Sequence, residues 1–332
     1  VAAMGNMWAS NPERGVYKRE DGGATWKKVL FVDDKTGAIT LAMDSSNPQV
    51  LYASTWEVYR RPWMLSSGGP GSRLYKSTDG GTTWTNISHN TGLPESLWGK
   101  VTVAVAPSDP NVVYTLMQAK YQGEIGGLFR SDDAGQSWKL VNNSPAITQR
   151  AMYYMRVYVD PKDPNTIFIP NTSIQVSHDG GKTLSRMQPP HGDNHAFWFN
   201  PDNPQIFIEG NDGGATVTRD GGRTWSSELN QPTGQFYHAN LDAEFPFNIY
   251  ASQQDDGSYV GPSAVAAGGL PPTWPRVAGG EASWVVPKPN EPWITFAANY
   301  YSDEFQGNRR TGLVTQVSPW PEFKFGLAAT EI

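Results

Sequence analysis

The sequence predicts an all-β chain, a β-propeller of four-stranded antiparallel blades, and three observations predict it. With 34 Gly, 26 Pro and 12% aromatic residues in 332, and few apolar heptads, the composition describes short strands punctuated by turns rather than helices. A repeat then recurs five times: GVYKREDGGATW (15–26), RLYKSTDGGTTW (73–84), GLFRSDDAGQSW (127–138), SIQVSHDGGKTL (173–184) and ATVTRDGGRTW (215–225). A second pattern precedes all but the first copy: MDSSNPQVLYA (43–53), VAPSDPNVVYT (105–115), VDPKDPNTIFI (159–169) and FNPDNPQIFIE (199–209). Degenerate versions follow at LDAEFPFNIYA (241–251) and VPKPNEPWITF (286–296).

Each copy of the first pattern reads as an alternating strand, a DGG hairpin turn and a second strand opened by Trp. Glycine accepts the positive φ of such a turn, the carboxylates of Asp21, Asp79, Asp133, Asp179 and Asp220 can accept its N–H groups, and the Trp side chain can wedge between sheets. Leu184 replaces Trp in the fourth copy, a smaller wedge. The second pattern reads as strand, Pro/Asn turn, strand. Two such hairpins make one four-stranded blade, and blades at this spacing stacked around an axis form a propeller. About seven are expected, the first and last incomplete; the first begins at its second strand, VAAMG, and lacks an inner one. Residues 1–230 hold five blades, and residues 231–332 hold two degenerate ones (about 235–281, then 282 onward) that belong to the same ring or open a second.

The segments STDGGTTW (77–84) and SDDAGQSW (131–138) resemble the Asp-box, or bacterial neuraminidase repeat, shared by sialidases, xyloglucan hydrolases and sortilin-type receptors. Copies one, four and five depart from it, with Arg19 and Thr218 at or near the hydroxyl position and Leu184 for Trp. The stretches QRAMYYMRVYVDPKDPN, HGDNHAFWFNPDNP, EGNDGG and YASQQDDGS extend the likeness over nearly the whole chain, toward large bacterial secreted proteins of glycosyl hydrolase-like or sortilin-like type. The resemblance implies a secreted or periplasmic bacterial propeller that recognises a glycan or other polymer, with glycoside hydrolysis as its activity if it is an enzyme. The alternative it implies is a non-catalytic, sortilin-like propeller that binds peptide or protein. A sialidase is disfavoured, because the Arg-Ile-Pro signature that precedes the boxes is absent.

Charge and composition narrow the partners. A net charge of −6 and no Lys/Arg-rich run supply no field for a phosphate backbone, so nucleic acid is not expected. Zero cysteines exclude disulfides and thiolate metal sites, and no apolar run is long enough to cross a bilayer as a helix. The start at Val1, without Met or a signal peptide, suggests a piece of a longer polypeptide.

In a propeller, the links from one blade's last strand to the next blade's first share a face with the links between strands two and three. That rule gathers Arg60, Arg61 and Trp63 of WEVYRRPW (56–63), Glu124, Arg150, Tyr153, Tyr154, the HGDNH group (191–195), Asn211, Asp212, Gln253–Asp256 and Glu281. Convergent arginines, amides, aromatics and carboxylates suit a polar ligand, and solvated loops share the same composition. The ligand-binding candidates are Arg60, Arg61, Trp63, Arg150, Tyr153, Tyr154, His195, Asn211 and Gln254; Asp193, Asp212, Asp255 and Glu281 could supply the two carboxyl groups of a glycosidase. Trp56, Trp63 and Trp98 could stack on sugar rings or simply pack loops. Residues 56–72 are expected to rise over this face, with the tail SSGGPGS partly mobile. Because alternate strand residues share a side, His191, Asp193 and His195 could point together with Asp212 nearby. Three readings stay open for them: a structural His–Asp cluster, a divalent-metal site on His191, Asp193 and His195, or acid/base work by Asp193 or Asp212.

Overall fold

The computed structural model describes residues 1–121, 123–228, 234–265, 273–300 and 303–318. Two compact units divide the chain, Val1–Asn230 and Gln231–Ile332. In the first, β1 (Ala2–Ala3), β2 (Gly15–Lys18) and β3 (Lys27–Leu30) form a three-stranded sheet. The second sheet comprises β4 (Thr36–Met43), β5 (Leu51–Arg61), β6 (Met64–Ser67), β7 (Leu74–Ser77) and β8 (Thr85–Asn86), ordered β4-β5-β7-β8 with β6 paired to β5. β9 (Trp98–Val105), β10 (Val113–Ala119), β11 (Gly127–Ser131) and β12 (Lys139–Asn142) form the third, followed by a one-turn helix α1 (Pro145–Thr148). β13 (Tyr158–Val159), β14 (Ile167–Ile169), β15 (Ile174–Ser177) and β16 (Ser185–Met187) form the fourth, and β17 (Asn194–Phe199), β18 (Phe207–Asn211) and β19 (Gly214–Thr218) the fifth.

The second unit has two sheets: β20 (Phe236–Leu241), β21 (Asn248–Gln253) and β22 (Gly257–Pro262), then β23 (Val285–Lys288), β24 (Glu291–Ala298), β25 (Glu304–Asn308) and β26 (Leu313–Gln316). The fold is therefore all-β, in sequential antiparallel sheets that mostly have four strands. The first sheet lacks an inner strand, as expected, since its DGG turn lies between β2 and β3. The last differs from the expectation: it has four strands, because a turn closed by Gly312 N donating to Asn308 O at 2.8 Å replaces the missing DGG sequence. Residues 319–332, the end of that segment, lie outside the described residues.

The DGG turns are built alike. The hydroxyls of Ser77, Ser131, Ser177 and Thr218 donate to Oδ1 of Asp79, Asp133, Asp179 and Asp220 at 2.7–2.9 Å. Each hydroxyl oxygen also accepts the N–H of the glycine four residues on, at 2.8–2.9 Å. Oδ2 accepts from Thr83, Ser137, Thr183 or Thr224 at 2.6–2.7 Å. Donors so arranged favour the anion, and they hold Asp133, Asp179 and Asp220 down to about 2. Thr218 thus does what Ser does elsewhere, whereas Arg19 cannot, and Asp21 lacks that hydroxyl donor while accepting from the Thr25 hydroxyl, at 2.6 Å, and the Gly23 N–H, at 3.2 Å.

These turns lie at the same end of each sheet as the Pro/Asn turns. Gly80, Ala134, Gly180 and Gly221 each donate a backbone N–H at 2.9 Å to Gln49, Asn111, Asn165 and Gln205 of their own sheet's Pro/Asn turn. The links between strands two and three, and those leading into the next sheet, consequently lie at the other end.

Apolar faces join successive sheets. Trp138, on the third sheet, is 3% exposed and packs with Tyr52 and Leu74 of the second and Val103 and Phe129 of its own. Trp84 sits likewise between sheets one and two, Leu184 between three and four, and Trp225 between four and five; Trp26 is 47% exposed and is not a wedge. A tyrosine reinforces three of the junctions: Tyr52 Oη donates to Ala134 O, Tyr114 Oη to Pro164 O and Tyr250 Oη to Pro292 O, at 2.8–3.0 Å. In every case a second strand reaches the following sheet, at a turn for Tyr52 and Tyr114 and near the start of β24 for Tyr250.

The glycine-rich tail of the long insertion is fixed, contrary to the expected mobility. Gly68 N donates to Glu57 O at 2.7 Å, Gly69 bridges Trp98, Gly71 N donates to Glu57 Oε2 at 2.9 Å, and Ser72 is buried. Glycine is needed there for close approach: at Gly68, with φ +95°, a Cβ would stand 2.2 Å from Trp98 O. Gly68→Ala is expected to destabilise the first unit by at least about 1–3 kcal/mol, read from urea unfolding.

Candidate functional site

At the end of the sheets opposite the DGG turns, β5 runs beyond its sheet and pairs with β6 as a projecting hairpin. Trp63 at its tip is 75% exposed, with the Arg61 guanidinium 5.7 Å from its ring and 4.7 Å from Tyr59, while Arg60 lies 5.7 Å over Trp8. Trp56 and Trp98 are buried and serve packing, not stacking on a ligand. Glu124 accepts the Tyr121 N–H at 3.3 Å and caps its own link.

The links entering sheets four and five bring several candidates together. Arg150 Nη1 lies 3.5 Å from Asp193 Oδ1 and 3.5 Å from Tyr154 Oη, and Tyr154 Oη donates to Asp193. His195 Nε2 is 2.8 Å from Asp212 Oδ1, and its ring stacks on Tyr154 with centroids 5.2 Å apart. Tyr153 is exposed beneath the Arg150 guanidinium, 5.2 Å from its ring. Burial, then the bonded carboxylate, pushes the Tyr154 phenol above its ordinary value.

This link is held from behind. Arg150 and Met155 both have left-handed backbone, φ +49° and +68°, which non-glycine residues rarely adopt. Lys100 Nζ donates to Tyr154 O at 2.7 Å and Thr102 Oγ1 to Met155 O at 2.8 Å, both from β9. Buried Lys100 lies over Trp56 at 5.3 Å and is pushed down to about 8 by burial and by Arg156.

The alternation expected of His191, Asp193 and His195 fails. β17 begins only at Asn194, Asp193 has φ +55°, and the register shifts between Asn194 and Ala196. His191 Nδ1 turns to Gly192 O at 2.9 Å, Asp193 to Tyr154 and Arg150, and His195 to Asp212. Among the described residues no three His, Asp or Glu side chains could hold a metal ion together, so the divalent-metal reading has no ligand set.

Asn211 also turns away from Asp212. Its Nδ2 donates to Glu209 Oε2 and Glu228 Oε1, each at 2.8 Å, joining two carboxyl groups through one amide. Glu209 is 0% exposed, its Oε1 has no partner among the described residues, and burial together with the Glu228 charge pushes it up to about 7. Neither glutamate stands in a motif; the only signal was a charged residue in the otherwise core-like strand FIEGN.

In the second unit, Gln254 Nε2 donates to Asp255 Oδ1 at 2.8 Å and to Glu281 Oε2 at 3.1 Å, and Tyr237 Oη donates to Gln254 Oε1. The Asp255 N–H and Tyr300 Oη also donate to Glu281, and that bond, more than burial, pushes the Tyr300 phenol up. Asp256 pairs with Arg276 and accepts from Tyr259. This unit thus holds its own carboxylate pair, Asp255 and Glu281, around the Gln254 amide.

No helix among the described residues is long and apolar enough to cross a membrane. No family model matches the chain. It is 24% identical over 196 residues to a xyloglucanase of Paenibacillus sp, covering 52% of this chain and 18% of that protein. It is 32% identical over 114 residues to the dispase autolysis-inducing protein of Streptomyces mobaraensis, covering 34% of this chain and 28% of that protein. The chain thus spans less than a third of either relative's length. Among solved structures, the GH74 xyloglucanase of Xanthomonas campestris aligns with a TM-score of 0.37 and 17% identity, over 93% of this chain and 52% of that one.

Proposed function

We infer that the chain is part of an extracytoplasmic, glycosyl hydrolase-like β-propeller that acts on a polysaccharide. The observation that carries this reading is the pair Asp255 and Glu281, both within hydrogen-bonding distance of the single Gln254 Nε2 and flanked by Tyr237 and Tyr300. Glycoside hydrolysis requires two carboxyl groups roughly 5 to 9.5 Å apart, one to protonate the leaving oxygen and one to act as nucleophile or base. Glu281 accepts from Tyr300 Oη, the Asp255 N–H and Gln254 Nε2, which holds it in place for the second role and leaves Asp255 for the first. Sequence similarity to a protein named xyloglucanase supports xyloglucan as the polymer. In the first unit, Arg150, Tyr153, Tyr154, Asp193, His195 and Asp212 offer charged and aromatic groups that would hold hydroxyl-rich chain rather than cleave it, with Arg60, Arg61 and Trp63 on the projecting hairpin as further contacts.

The test is release of reducing ends from xyloglucan and from undecorated β-glucan. Asp255→Asn and Glu281→Gln are each expected to lower the rate by about 10²–10⁴-fold while leaving polymer retardation in affinity gels unchanged. No turnover by the intact chain on any polysaccharide would reject hydrolysis. A second reading, a non-catalytic propeller that binds a protein partner, is favoured by the likeness to a protein named for inducing autolysis of dispase and by the exposed Trp63 hairpin. It predicts capture of a protease without glycan turnover.

A further inference from the structure

We propose that Glu209, bridged to Glu228 through the Asn211 amide, forms a pH-sensitive latch that sets the position of the Asp212 turn against His195.

The geometry is that of two acids bridged by one amide, with one buried oxygen left over. Glu209 lies on β18 between Phe197 of β17 and Thr216 of β19, on the face that carries buried Phe207, and water does not reach it. One Asn211 nitrogen supplies a hydrogen bond at 2.8 Å to each carboxyl group, and Glu209 Oε1 is left without a partner among the described residues. A buried carboxylate with an unpaired oxygen is strongly disfavoured, so the neutral acid is the form this site accommodates. The charged groups that face it are Glu228, from the segment after β19, which opposes ionisation, and His191, from the link into β17, which assists it when protonated. Its own strand contributes only Asn211, and the facing positions on β17 and β19 are Phe197 and Thr216. Burial and the Glu228 charge bring the titration to about 7, within the range where neutral and ionised forms exchange.

Asn211 is also the post of the turn. Its Oδ1 accepts the Gly213 N–H at 2.8 Å, the Asp212 N–H donates to Asp193 O at 3.2 Å, and Asp212 so placed meets His195 Nε2 at 2.8 Å. With Glu209 protonated, the two N–H groups of the amide bridge a neutral acid and the Glu228 carboxyl group, and the turn stays closed. When the Glu209 proton leaves, its charge and that of Glu228 repel across the one amide. The half-buried Glu228 is the one free to swing outward, and Asn211, released on that side, no longer fixes Gly213. The Asp212 to His195 contact then loosens while the strands on either side remain paired.

Hydrogen exchange read by mass spectrometry on the whole chain, corrected for the intrinsic pH dependence of exchange, tests this. Between pH 6 and pH 8 the peptide spanning 210–214 is expected to lose at least tenfold of its protection, with no change in 194–199. Glu209→Gln, which keeps shape and removes the titration, is expected to hold its protection flat across the same range. Carboxyl ¹³C titration of the wild-type chain is a second measurement that requires no variant, and one glutamate titrating near 7 is the expected result. Flat protection in the wild type, the same step in Glu209→Gln, or all glutamates titrating below 5.5 would overturn the latch.

Discussion

Trp138→Ala is expected to destabilise the first unit by about 3–5 kcal/mol, and Trp26→Ala by less than about 1 kcal/mol, although both residues close the same repeat. Trp138 is buried between sheets two and three against Tyr52, Leu74, Ile87, Leu93 and Phe129, and its Nε1 donates to Gly135 O at 3.2 Å. Truncation therefore empties a cavity the size of an indole, while the Gly135 carbonyl keeps the Asn90 Nδ2 donor at 2.7 Å, so the loss is one of packing. Trp26, 47% exposed, has no such chamber. Trp84, half-buried with an Nε1 that has no partner among the described residues, should fall between them. Urea unfolding followed by tryptophan emission orders the three; equal losses would refute the wedge assignment.

Glu209→Gln is expected to change stability in a pH-dependent way and to raise it above neutrality. The ordinary value for this carboxyl group is 4.5 and the folded one is about 7, so between those limits the native state binds more protons than the unfolded chain. Stability consequently falls as pH rises through that window, and the loss is complete once the folded group has ionised. A shift of this size corresponds to about 3 kcal/mol. The glutamine variant lacks the term: near pH 4.5 it should match the wild type within the small cost of the isosteric change, and at pH 8 it should be more stable by roughly that amount. Parallel chemical unfolding at pH 5 and pH 8 gives the comparison, and a variant less stable at pH 8 would show that Glu209 functions as a paired anion.

Turn chemistry is local, which is why so much of the architecture was legible. The Ser, Asp, Gly and Thr that bond one another in each DGG turn lie within seven consecutive residues, so Asp79, Asp133, Asp179 and Asp220 could be placed without tertiary information. The site was only partly legible, because its geometry depends on single backbone angles and on partners far along the chain. His191, Asp193 and His195 read as one side of a strand, but the left-handed Asp193 and the β17 bulge send each side chain to a different partner. The His195–Asp212 contact survived because adjacent strands bring the two links together. Lys100 could not be found, since what marks it is a carbonyl 54 positions away, and Glu209 could not, since its burial follows from the pairing of three strands.

The tyrosine bonds give the stack a direction with consequences for biosynthesis. Tyr52 finds its acceptor at Ala134, 82 residues downstream, and Tyr114 finds Pro164, 50 residues downstream. A chain emerging from the ribosome therefore carries the sheets of Tyr52 and Tyr114 with an unpaired phenol and an open apolar face until the next sheet has left the exit tunnel. That interval is when the nascent protein is exposed to aggregation and to holdase chaperones. A stalled translation product ending after one complete sheet should consequently be far more protease-sensitive than one ending after the next.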